Sequence, residues 1–283
     1  MKTCYYEIGG HSLAVCFVNE ENSDDLIPSF APFRLQEEPA ELLFTMLVDD
    51  NLDWPQQNDE IGQFDCGGCN HGVYRRDDGG YLYSIHDIHD VLCSRMQSNA
   101  DFSECCVSLY SKTCVKRYYG LNNALMMAYA FASACSATML MHASVIRQGG
   151  KGYLMTAPSG TGKSTHTRLW RENIEGATLL NDDSPFVGIR DGRAVAYGSP
   201  WSGKTPCYKN DYAPVGAFVQ IKQEPENHID RNMPLQAFAI LLPSMSVMKW
   251  DKLIYRNVCD GVGRLIERVP LYTWDAVPIR GLQ

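Results

Sequence analysis

The chain of 283 residues carries 25 Lys and Arg against 33 Asp and Glu, a net charge of −8, and 45% of its residues are hydrophobic. That is enough apolar chain to bury a core as one large domain or two ordinary ones, and it excludes collagen-like and disordered classes. The acidic balance excludes binding nucleic acid through a general basic surface, and eleven cysteines, odd in number and including adjacent Cys105 and Cys106, suit reduced thiols better than a disulfide framework.

The first residues, MKTCYYEIGGHSLAVCF, are interrupted by Glu7 and His11 and have no small-residue cleavage site. No signal peptide is read there, and the expectation is a cytoplasmic protein. Residues 1 to about 115 read as β-rich. Short apolar or alternating runs (Tyr5–Ile8, Leu13–Val18, Leu42–Leu47, Val73–Arg75, Tyr81–Ile85, Cys106–Tyr110) are separated by turn chemistry, with a hairpin signal at Asp77-Asp78-Gly79-Gly80. Cys66-Gly67-Gly68-Cys69 with His71 has the spacing of half a zinc site, but a second CxxC is absent from the sequence and a Gly-rich turn is the default.

No Asp, Glu, Lys or Arg occurs between Arg117 and Arg147. The stretch has the length of a membrane span. Its Ala, Ser and Cys content reads instead as a helix from Asn122 to about Ser136 and a short core strand, Leu140–Ile146, containing His142. No membrane partner is expected.

From there the grammar becomes α/β. The β-type run Gly152–Thr156 leads into Ala157-Pro158-Ser159-Gly160-Thr161-Gly162-Lys163-Ser164, and Thr165 to Trp170 can be helical. Strand, glycine loop and helix make a P-loop, with Ala157 at a first position that is Gly in the strict pattern. Gly160 and Gly162 let backbone N–H groups approach phosphate oxygens, Lys163 reaches the β and γ phosphates, and the Ser164 hydroxyl sits on Mg²⁺. A bland Gly-rich turn is the alternative.

A P-loop needs an acidic partner from a neighbouring strand. Thr178–Leu180 reads as that strand and carries Asp182 and Asp183 at its end, Asp182 lying 19 residues after Lys163. Adjacent strand residues point to opposite faces, which gives the two carboxylates different jobs. The alternative is an Asx turn before Ser184-Pro185. Lys204, in a Gly-containing loop, is a candidate second cation on the transferred phosphate, or an ordinary solvated lysine.

His142, the APSGTGKS loop and the Asp182-Asp183 pair together resemble the catalytic domain of the HPr kinase/phosphorylase family of bacterial protein-serine kinases and the nucleotide core of phosphoenolpyruvate carboxykinase. The likeness covers residues 140 to 283 and extends to poorly characterised bacterial proteins related to that kinase. It implies a P-loop domain of the HPr kinase C-terminal type; the change from β-rich runs to α/β grammar sets a boundary near 115–120, which gives a small β-rich domain at 1–117, unlike the N-terminal domain of that kinase, and the P-loop domain at 118–283. It also implies ATP and Mg²⁺ as cofactors, Asp182 as base on the acceptor hydroxyl, Asp183 on Mg²⁺, and His142 hydrogen-bonded to the catalytic carboxylate. The chain continues Lys163-Ser164-Thr165 where the kinases continue Lys-Ser-Glu, and it lacks their Gly/Asn-rich signature segment.

The expected activity is ATP-dependent transfer of the γ-phosphoryl group to a hydroxyl, of a serine in a protein or peptide or of a small molecule. A nucleotide-binding regulator whose P-loop is a switch and a carboxykinase-like enzyme are the alternatives, and assembly with further copies of the chain is left open.

Overall fold

A computed structural model describes residues 1–19, 22–54, 60–65, 70–158, 160–203 and 205–278. The chain is a mixed α/β structure with two large sheets and divides into two compact units, 1–133 with 249–251 and 134–248 with 252–283.

The first unit is a sheet of β1 (Lys2–Ile8), β2 (His11–Phe17), β3 (Arg34–Leu35), β4 (Phe44–Val48), β5 (Glu60–Asp65), β6 (Asn70–Arg75), β7 (Tyr81–His86), β8 (Leu92–Ser98) and β9 (Glu104–Leu109), followed by α1 (Cys114–Ala134). The strand order is β3-β1-β2-β4-β9-β8-β7-β6-β5. Every strand run expected from the sequence is found, and the hairpin at Asp77–Gly80 joins β6 to β7.

One strand face turns inward, as the alternation of buried and half-buried residues in Phe44–Val48 shows. Tyr129 on α1 donates its hydroxyl to the Ile8 carbonyl and meets Phe44 edge to face, while Phe131 packs on Phe64 and Phe102. From Leu121 to Ala134 the helix is buried on nearly every side, which accounts for its missing charges. Among the described residues, no helix is long and apolar enough to cross a membrane.

The helix begins eight residues before the expected start at Asn122 and runs across the expected division after residue 117. Gly120 explains part of the difference: a Cβ there would lie 2.9 Å from Ser94 Cβ, and Ser94 donates its hydroxyl to the Gly120 carbonyl. Gly120 is a point of close helix-to-strand approach.

The second unit contains β10 (Thr138–Leu140), β11 (Ala143–Gln148), β12 (Lys151–Thr156), α2 (Lys163–Asn173), β13 (Thr178–Asp183), β14 (Phe186–Arg190), β15 (Arg193–Tyr197), β16 (Tyr212–Gln223), β17 (His228–Arg231), α3 (Pro234–Leu241), α4 (Lys252–Ile266) and β18 (Leu271–Ala276). Its sheet runs β10-β14-β15-β16-β12-β11-β13, with β18 also on β16 and β17 on β18. β12, β16 and β18 are parallel, and β11 lies antiparallel between β12 and β13. The turn joining β11 to β12 is Gly149-Gly150, both at positive φ.

The run Leu140–Ile146, expected as one strand, is two. Leu140 pairs with Phe186 in β14, Met141 bridges to Met245, the His142 amide donates to the Ser244 carbonyl, and Ala143 starts β11. The chain changes partner at His142, whose side chain is therefore half exposed instead of lying in the core.

Candidate functional site

β12 delivers the chain into the loop 157–162, and α2 starts at Lys163. Gly160 (φ 80°) and Gly162 (φ 111°) occupy the left-handed region that only glycine enters freely, and Gly162 caps the helix. The first-turn amides of α2 have no intrahelical acceptor and face the loop. Lys163 folds back over this loop: its ammonium donates to the Ala157 carbonyl at 3.0 Å and lies 2.6 Å from His142 Nε2. Burial pushes the lysine pKa down, against the pull of Asp183 and Asp182. Burial also lowers His142, with Asp183 opposing and the Lys163 charge adding to the effect. Both contacts are met by a neutral ring that accepts from the ammonium at Nε2 and turns its Nδ1 proton toward Asp183 Oδ1, 3.5 Å away.

The two carboxylates at the end of β13 sit in different surroundings. Asp182 is 2% exposed, and its Oδ1 accepts from Ser144 Oγ at 2.5 Å and from Ser164 Oγ at 3.3 Å. Ser144 reaches it because β11 pairs with β13 in a register that sets Ser144 opposite Asp182. The Asp183 side chain is 40% exposed, faces His142, and accepts from Ser184 Oγ at 3.3 Å. Its φ of 106° is a strained value for a non-glycine residue. Gly203 runs close by: its amide donates to the Asp182 carbonyl at 2.6 Å, and a Cβ there would lie 3.0 Å from Asp183 Cβ.

A buried polar frame holds these groups. The Thr156 and Ser244 hydroxyls are 2.7 Å apart, which ties the end of β12 to the residue whose carbonyl anchors His142. Asn181, fully buried, donates to Ser199 Oγ and the Trp201 carbonyl and accepts from the Ser184 amide, so the turn after Asp183 is fixed from beneath. Trp201 is 3% exposed, edge-on to Phe186, and packs the loop rather than covering the site.

The structure thus brings together His142, Lys163, Ser164, Asp182 and Asp183 from three chain segments: the link between β10 and β11, the start of α2 and the end of β13. Ala157, Pro158, Gly160, Thr161 and Gly162 form the loop, and Thr165 lies half-buried in the first turn of α2. Ser159 and Lys204, and the Cys66 and Cys69 of the half zinc site, lie outside the described residues. Ser144, Asn181 and Ser244 were missed; each is a small polar residue whose buried partner is set by strand pairing or loop contact.

The residues present suit a nucleotide with Mg²⁺. A hydroxyl and a carboxylate converge as hard oxygen donors, and Mg²⁺ is held by one or two carboxylates plus phosphate. Among the described residues, no group of three or more His, Cys, Asp or Glu forms an all-protein metal cage. The space around the Gly160 Cα is open, with nothing within 4 Å of a Cβ placed there.

No family model matches the chain, and no curated protein matches it. Among solved structures it is similar to the Hpr(Ser) kinase/phosphatase from Coxiella burnetii, at 12% identity and a TM-score of 0.30, over 50% of this chain and 82% of that one. A likeness that slight leaves the functional reading to the geometry.

Proposed function

We propose that the second unit is a P-loop nucleotide-binding domain of the HPr kinase-like type and that the chain is an ATP-dependent phosphotransferase. The acceptor is a hydroxyl, of a serine in a protein or peptide or of a small molecule. One observation carries the reading: among the described residues, Lys163 and Asp182 are the buried members of the Lys, Arg, Asp and Glu set, and both stand at the glycine loop. Burying a charge is expensive unless a partner or a ligand repays it.

Phosphoryl transfer asks the protein mainly for positioning and charge. The loop amides and Lys163 would draw negative charge from the γ-phosphoryl group, and leaving His142 for the phosphate would give the lysine an anionic partner. Mg²⁺, held by Ser164 and a carboxylate, supplies neutralisation of the β and γ oxygens when bound. A second carboxylate takes the proton of the incoming hydroxyl as its oxygen bonds to the γ-phosphorus and the bond to the β,γ-bridging oxygen breaks. His142 orients that carboxylate.

The test is ATP binding and ADP formation by the purified chain with candidate acceptors. Lys163→Ala is expected to abolish transfer, and full transfer by that variant would overturn the proposal. Binding without turnover on every acceptor would favour the regulator.

A further inference from the structure

We propose that the nucleoside half of the nucleotide leaves the glycine loop on the side away from β13, with its ribose at His166 of α2 and its base stacked on Trp274 of β18. The inference rests on the phosphotransferase reading and deepens it by placing the part of the substrate that the loop does not hold.

Direction comes from the sheet. Lys163, His142 and the β13 carboxylates gather on the side of β12 where β11 and β13 lie, and they mark the end of the loop that receives the γ-phosphoryl group. A nucleotide fixed at that end runs its other end over β16 and β18, which stand on the opposite side of β12 and are parallel to it. Ligands of open α/β sheets lie outside the carboxyl ends of such strands. Gln223, the last residue of β16, touches the loop there, its Nε2 donating to the Thr161 carbonyl at 3.2 Å. Trp274 stands two residues before the end of β18, opposite Ile221 in β16.

Two rings meet at this edge. The His166 and Trp274 centroids are 4.6 Å apart, with the ring planes at 56°. His166 lies beside the loop: its amide donates to the Gly162 carbonyl at 2.9 Å, and a Cβ on Gly162 would lie 3.8 Å from its Cδ2. Loop, imidazole and indole thus follow one another in the order phosphate, ribose and base.

The surroundings of each ring suit these parts. Trp274 packs on the buried cluster of Met155, Ala157, Val219, Ile221 and Ala276, which fixes the indole, yet it is only half-buried and part of the ring stays open. A fixed, partly open aromatic is what base stacking uses. His166 is half-buried too, and among the described residues its ring nitrogens have no hydrogen-bond or ion-pair partner. Burial lowers its pKa, so at neutral pH the ring is uncharged and offers one donor and one acceptor to the ribose hydroxyls. Packing on Trp274 alone would be met by an apolar side chain at 166.

The experiment is calorimetric titration of the full chain, in the presence of Mg²⁺, with ATP, with 2′,3′-dideoxy-ATP and with tripolyphosphate, which carries phosphates alone. The wild type is expected to bind ATP at least about 10-fold more tightly than tripolyphosphate. Trp274→Ala should lose about 10-fold for ATP with its tripolyphosphate affinity unchanged, and Trp274→Phe, which keeps a stacking face, should recover most of the loss. If Trp274→Ala does not fold, Trp274→Leu keeps apolar bulk on the cluster without a ring and should show the same ATP-selective loss. His166→Ala should narrow the gap between ATP and its dideoxy analogue. Equal losses for ATP and tripolyphosphate in the Trp274 variants, or an unchanged ATP affinity, overturn the place of the base. A gap between ATP and the dideoxy analogue that His166→Ala leaves intact overturns the place of the ribose. A wild type that binds ATP and tripolyphosphate equally overturns both and leaves the P-loop reading standing. A wild type that binds neither overturns the kinase reading, and this inference with it.

Discussion

The two units bury different kinds of side chain. The first fills its interior with aromatic rings, Tyr6, Phe17, Phe30, Phe33, Phe44, Tyr81, Tyr83, Phe102 and Phe131 among them. Its buried histidine, His71, is kept neutral: burial and the neighbouring His86 hold its pKa down at about 4. The second buries Lys163 and Asp182 at one glycine loop and accepts a left-handed aspartate next to them. The second unit thus carries the desolvation cost of ionisable side chains at one loop, a cost that the aromatic interior of the first does not meet.

The sharpest way to break this contrast is to damage the aromatic core. Phe131→Ala is expected to destabilise the first unit by about 3–5 kcal/mol, measured by urea unfolding, because the ring is 2% exposed and packs on Phe64 and Phe102. A loss below about 1 kcal/mol would remove the aromatic cluster from the account.

His71 gives the next effect. Its folded pKa lies below the ordinary histidine value of 6.5, so the unfolded chain takes up the proton first as pH falls. The associated stability is complete above pH 6.5 and is lost between pH 6.5 and 4, to a total of about 3 kcal/mol. Unfolding measured across that window should show the slope, and His71→Gln should flatten it.

Lys163→Met sharpens the other side. The depressed lysine pKa means that charging this side chain costs more in the fold than in water, even with both aspartates nearby. Loss of that charge should leave the thermal midpoint unchanged or raised, while ATP binding weakens about 100-fold or more. A fall in the midpoint would show that the buried charge supports the fold.

The smallest expected change is at Asp183, where φ is 106°. Asp183→Gly should raise stability by about 1 kcal/mol and abolish transfer. An unchanged midpoint would indicate that the strain is relieved by neighbouring bonds.

Much of this was legible in the sequence, because the strongest signals are local. Strand, glycine loop, helix and paired aspartates are each contiguous, and they fall where their spacing predicts. The strand β8 was hidden because small polar residues, Ser94 and Ser98, occupy buried positions that apolar alternation would mark. The start of α1 was hidden by Gly120, whose reason is a strand 26 residues earlier. Ser144 and Ser244 acquire their roles through strand pairing and loop contact, which no local pattern encodes. His142 was legible as a candidate, but its place between two strands depends on Met245 and Ser244, about a hundred residues downstream.

The Gly149-Gly150 turn has a practical consequence. Neither Cα has anything within 4 Å of where a Cβ would sit, and the turn closes the end of β11 away from Ser144. Four strand residues, about 13 Å, separate it from that serine. A dye or a short tag placed at this turn would sit on the hairpin that carries Ser144 to Asp182 without entering the register that aligns them, which makes it a natural attachment point for an optical probe of that site.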